Sequence, residues 1–151
     1  MLNNIKNRKE GFTIIEVLIV LAIAGLILLV VFLAVPALQR NSRNQQRRTD
    51  VSNYLAAVSE WSNNNGGGLP AAADLTGTNG VNGNVKLGTM TAPTTIAGAT
   101  ANGTVAADTI VLVTGAKCAA SGNTAAGSTR QFAVRFQLET GGGTQTLCQE
   151  S

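Results

Sequence analysis

The chain contains no histidine. A Ser-His-Asp triad, a Cys-His pair and any histidine-ligated metal are excluded, and the commonest general base is missing. Charge is also scarce: Asp, Glu, Lys and Arg make up 13% of the 151 residues, and the net charge is +3. Lys6, Arg8 and Lys9, set against Glu10, supply most of that excess. The chain beyond Gly11 is close to neutral, which argues against a nucleic-acid module. Cysteine is limited to Cys118 and Cys148. They stand too far apart for a C-x-x-C redox or zinc motif. Both follow the long apolar run, so they share one side of a membrane. The pair is read as a disulfide formed in an oxidising compartment, against the alternative of two separate buried thiols. No G-x-G-x-x-G follows a strand, so neither a nucleotide cofactor nor a metal is indicated. The length allows one soluble domain at most, with roughly 90 residues after the helix to build a modest core.

What is present is an apolar run. From Val17 to Val35 no residue is charged. Phe12 to Val35 is about 24 residues, about 36 Å as a helix, enough to cross a hydrocarbon layer of about 30 Å. It exceeds the h-region of a cleaved secretory signal, about 7–15 residues, and no A-x-A site follows it. A single-span anchor is the plain reading. Gly25 would let another helix approach closely, or is an ordinary small residue of a span. Pro36 cannot donate to the Phe32 carbonyl and either bends the helix or ends it at Val35. Glu16 is the anomaly. A carboxylate at the bilayer centre costs about 2.5–3.5 kcal/mol, less near an interface, and an intramembrane ionisable group is a functional candidate.

A short basic leader, then Gly11-Phe12-Thr13-x-x-Glu16, then a long apolar helix: this combination resembles the class III signal of type IV pilins and pseudopilins. It covers about residues 1–35. The resemblance implies a cleaved leader 1–11, cut between Gly11 and Phe12 by a membrane prepilin peptidase that also methylates the new Phe12 amine. Glu16 then falls at the family's glutamate position and acts in peptidase recognition and assembly. Residues 12–35 become the transmembrane and polymerisation helix, and 36–151 the extracytoplasmic domain. The proline usual in this helix lies about a turn earlier than Pro36, a departure that bears on where the helix bends. In a helical stack, Glu16 of one copy can meet the Phe12 amine of the next, relieving the penalty on a lone buried carboxylate.

Residues 36–62 continue as a helix, with Val51, Tyr54, Leu55, Val58 and Trp61 forming an apolar stripe that calls for a sheet. Arg40, Arg43, Arg47 and Arg48 read as a solvated neck, with lipid headgroups, subunit pairing or DNA as functional alternatives. DNA is weakly supported, because no stacking aromatic lies close by. Together they balance Lys6, Arg8, Lys9 and the Met1 amine, so charge does not orient the span. The leader resemblance and the cysteines do. Asn63 to Pro70 end the helix. Residues 63–108 read as a long Thr/Gly-rich surface connection with at most a short strand near Val85–Met90. Asn102-Gly103-Thr104 is a glycosylation sequon by pattern only. Residues 109–149 read as an antiparallel meander with one buried face. Phe132, Val134, Phe136 and Leu138 point to the core.

The expected fold is α+β: a long N-terminal helix packed on a small C-terminal antiparallel sheet. The expected function is a structural, self-assembling pilus subunit rather than an enzyme. A pseudopilin of a secretion or competence system and a non-polymerising membrane-anchored binding domain are the alternatives. The resemblance implies as partners the peptidase, a membrane assembly platform with its ATPase, and copies of the chain. The implied locations are the cytoplasmic membrane, then the cell surface.

Overall fold

The structure, a computed structural model, describes residues 11–77 and 79–151. The basic leader expected over residues 1–11 lies, apart from Gly11, outside the described residues. A single helix, α1 (Ile14–Asn64), contains Pro36 and crosses between two compact units, 1–38 and 39–151.

In the first unit the backbone is irregular over 11–13 and helical from Ile14. Thr13 caps the helix: its Oγ1 accepts from the Glu16 amide at 3.3 Å, and its carbonyl accepts from the Val17 amide at 3.3 Å. The hydroxyl also faces the Glu16 carboxylate at 3.5 Å, so Thr13-x-x-Glu16 forms a variant of the reciprocal capping pattern. No residue from Gly11 to Gln39 is buried within the chain. Among the described residues this is the one helix long and apolar enough to cross a membrane.

In the second unit the C-terminal half of α1 buries Arg47, Asp50, Val51, Tyr54, Leu55, Ala57 and Val58, a three-four spacing that keeps one face inward. That face meets a four-stranded sheet of order β1-β2-β5-β6, comprising β1 (Ile96–Ala97), β2 (Val111–Thr114), β5 (Phe132–Thr140) and β6 (Gly143–Glu150). The β2–β5 and β5–β6 pairs are antiparallel. Phe132, Val134, Phe136 and Leu138 share one core with Val51, Tyr54 and Val58. Burying each such side chain is worth about 1.5–3 kcal/mol, so this layer holds helix to sheet. The α+β class and the helix-on-sheet packing match the expectation.

Three expectations need correction. The sheet is not a pure meander, because β1 pairs with β2 in parallel. Val85–Met90, expected to hold at most a short strand, holds none, and the ordered pairing comes later, at Ile96–Ala97 and at a Thr91–Thr109 bridge. The connection 63–108 is not all surface: Leu75, Val81, Met90 and Val105 are buried. Isolated apolar residues thus anchor a polar segment. Nor does β5 have a single buried face, since Ala133, Arg135 and Gln137 are buried too. A hairpin of β3 (Ala116–Cys118) and β4 (Thr124–Ala126) supplies Ala116 to a second small cluster with Val113 and Ala133.

Candidate functional site

The Gly11–Phe12 bond lies in the irregular segment ahead of α1. Phe12 is 85% exposed, and among the described residues nothing comes within 4 Å of the space a Gly11 side chain would take. No described residue therefore shields the bond. Glu16 lies one turn into the helix and is exposed. Its position in the first turn also suits the helix dipole. The Thr13 contact gives this glutamate a local role that its sequence position alone had not suggested. The signal was readable, since Thr-x-x-Glu ahead of an apolar run is a capping pattern.

Among the described residues nothing comes within 4 Å of a side chain placed at Gly25, so none of them requires a small residue there. Pro36 sits within α1 without ending it, at the cost of the hydrogen bond its ring nitrogen cannot donate. Cys118 and Cys148 form a disulfide, with their Cα atoms 5.6 Å apart. It joins the end of β3 to β6, and the Cys118 amide donates to the Glu150 carboxylate at 2.6 Å.

The arginine segment differs from a solvated neck. Arg47 is buried, and its guanidinium bridges Asp108 and Glu139. Arg43 grips Glu139 through Nε and Nη2. Asn44 completes the clasp: its Nδ2 donates to the Glu139 carbonyl at 2.7 Å, and its Oδ1 accepts from the Glu139 amide at 2.8 Å. The hydrogen bond from Arg43, with the nearby charge of Arg47, holds the Glu139 carboxyl at about 2, well below its usual range. The same contact raises Arg43. Arg48 remains exposed.

Asp50 is the charged residue that sequence reasoning overlooked. It is 1% exposed. Its Oδ1 accepts from Gly88 N at 3.0 Å and Gln46 Nε2 at 3.1 Å; its Oδ2 accepts from Thr89 N at 2.8 Å and Met90 N at 3.1 Å. Burial pushes its carboxyl up, and the Thr89 and Gly88 amides with the Gln46 and Thr89 side chains more than reverse this, leaving it below the ordinary value. Asp50 thus pins the 88–90 loop to α1. Arg135 is buried as well, donating to the carbonyls of Gly122 and Ala101, and burial lowers it.

Among the described residues no cluster of three His, Cys, Asp or Glu side chains could hold a metal ion. The functional candidates therefore concentrate in the exposed Gly11–Phe12 junction and the unburied apolar stretch of α1 that follows it. No curated protein and no solved structure gives a significant match to the chain. One family model does, over residues 6–32, and its description is the prokaryotic N-terminal methylation motif. The segment that runs into α1 thus matches that motif, the one carried by the class III signal of type IV pilins and pseudopilins.

Proposed function

We propose that the chain is the precursor of a type IV pilus subunit. A prepilin peptidase cuts between Gly11 and Phe12 and methylates the Phe12 amine. An assembly platform with its ATPase then packs the mature chains, through 12–35, into a filament outside the cell. The observation that carries this reading is the joint one of motif and burial. Residues 6–32 match the methylation motif, and among the described residues the apolar side chains of α1 up to Leu38 are all exposed. Nothing among the described residues covers them. A bilayer does so before assembly and neighbouring copies afterwards.

Magnitudes favour insertion despite Glu16. A carboxylate at the bilayer centre costs about 2.5–3.5 kcal/mol. Each large apolar side chain recovers about 1.5–3 kcal/mol on leaving water. Two or three of the leucines and isoleucines between Ile14 and Leu33 therefore offset it. In the filament, Glu16 pairs with the Phe12 amine of a neighbour, which removes the penalty and favours one axial stagger between copies.

Intact-mass measurement of the chain from cells with an active prepilin peptidase tests the reading. The expected product begins at methyl-Phe12 and is recovered in sheared surface filaments. A chain that keeps residues 1–11, or a mature chain found only as membrane monomers, would falsify the filament reading. The second outcome would instead establish a membrane-anchored domain.

A further inference from the structure

Six carboxylates lie in the second unit, and five of them are committed within the fold. Asp50, Asp74, Asp108, Glu139 and Glu150 each accept a hydrogen bond. Among the described residues, none donates to the sixth, Glu60. In a chain so poor in charge, an acid without a structural task calls for explanation.

Glu60 lines a groove of about 780 Å³ at the C-terminal end of α1, together with Trp61, Asn64, Asp74, Asn79 and Asn84. That volume lies within the range of about 300–1,000 Å³ common for small-molecule sites. Trp61 is the only tryptophan. Part of it packs against the apolar core and part of it lines the groove. A structural tryptophan at the end of an amphipathic helix needs only the first of these contacts.

The lining chemistry narrows the ligand. Among the described residues no Lys, Arg or His lines the groove, so an anion would face Glu60 and Asp74 uncompensated. A wholly apolar ligand would strip water from amides and carboxylates and give nothing back. A molecule with a flat CH face and a rim of hydroxyls suits both parts. Its face lies on the indole. Its hydroxyls, each donor and acceptor, meet side-chain amides that also do both, and carboxylates that accept strong charge-assisted bonds. Asn64 and Asn79 have no partner within the chain among the described residues, so their amides are available.

We propose that this groove binds a neutral saccharide, with Trp61 as the platform and Glu60, Asn64 and Asn79 as hydroxyl partners. The inference does not depend on the filament reading, because a monomeric anchored domain would carry the same groove.

The single tryptophan is its own reporter. The full chain, held in amphipol so that neither sugar nor choline is introduced, is titrated with maltotriose, cellotriose and tri-N-acetylchitotriose, and separately with choline. The expected result is a saturable change in Trp61 emission with at least one trisaccharide. Glu60→Gln and Asn64→Ala each weaken it by about fivefold to tenfold, the size of one lost hydrogen bond. Both positions are exposed, so a thermal melt equal to wild type shows that the fold is intact. Flat titrations with all three sugars overturn the proposal. So does a response that both variants leave unchanged. A response to choline alone overturns it as well and identifies a cation site built on the indole face.

Discussion

A carboxylate costs little where every lone pair is used, and Asp50 and Glu16 illustrate two ways of using them. Asp50 receives three backbone amides from one loop. Asp50→Asn would turn an amide group toward those donors, so we expect a loss of about 2–3 kcal/mol in urea unfolding, the scale of hydrogen bonds to a charged group. A change below a few tenths would mean that the loop relaxes around the new side chain. Glu16 must be tested in a way that separates cap from charge. Glutamine serves in a capping pattern as well as glutamate does. Glu16→Gln should therefore leave membrane levels and helix content unchanged while filament yield falls sharply. Thr13→Ala should do the reverse, costing about 1 kcal/mol at the helix start and sparing assembly. Normal filament yield for Glu16→Gln would leave the cap as the whole reason for that glutamate.

At the scale of elements, the β3–β6 disulfide holds the edge of the sheet. In the chain-entropy model it is worth about 3–4 kcal/mol. Reduction, or Cys148→Ala, should lower stability by that order, and hydrogen exchange should rise first in β3 and β6, with α1 unaffected. Uniform loss of protection would show that the bridge serves the whole unit. The helix and the two long strands were legible because periodicity writes them out. Val51, Tyr54, Leu55 and Val58 repeat every three or four residues, and Phe132 to Leu138 alternate. The segment 63–108 was not, because Leu75, Val81 and Met90 are single apolar residues in a Thr/Gly/Asn background with no period to detect. Arg47 was misread for a related reason. Its partners Asp108 and Glu139 lie 61 and 92 residues away, and local sequence cannot distinguish a buried arginine from a solvated one. The methylation motif, by contrast, was readable from a short string, because Gly11-Phe12-Thr13-x-x-Glu16 ahead of an apolar run is a local pattern that needs no tertiary contact to be seen.

For the molecule as a whole, acid should be the condition that discriminates its two parts. The Glu139 carboxyl sits at about 2 in the fold against an ordinary 4.5, and Asp50 is lowered as well. A folded value below the unfolded one means the stabilisation is complete above about 4.5 and is lost as pH falls toward 2. The urea midpoint of the second unit should be flat from neutral pH to about 4.5 and decline below it, with a shallower decline in Glu139→Gln. No charge among the described residues of the first unit is buried within the chain, so membrane retention should not follow that curve. The clasp on Glu139 has a mechanical consequence as well. Arg43, Asn44 and Arg47 are the most N-terminal residues of α1 that bond to the sheet. Tension entering along α1 from its apolar end reaches them before it reaches Val51 or Tyr54. Their hydrogen bonds converge on one residue and are sheared together, so they share the force instead of breaking in turn. Under such traction, Glu139 is where the sheet first takes load from the helix.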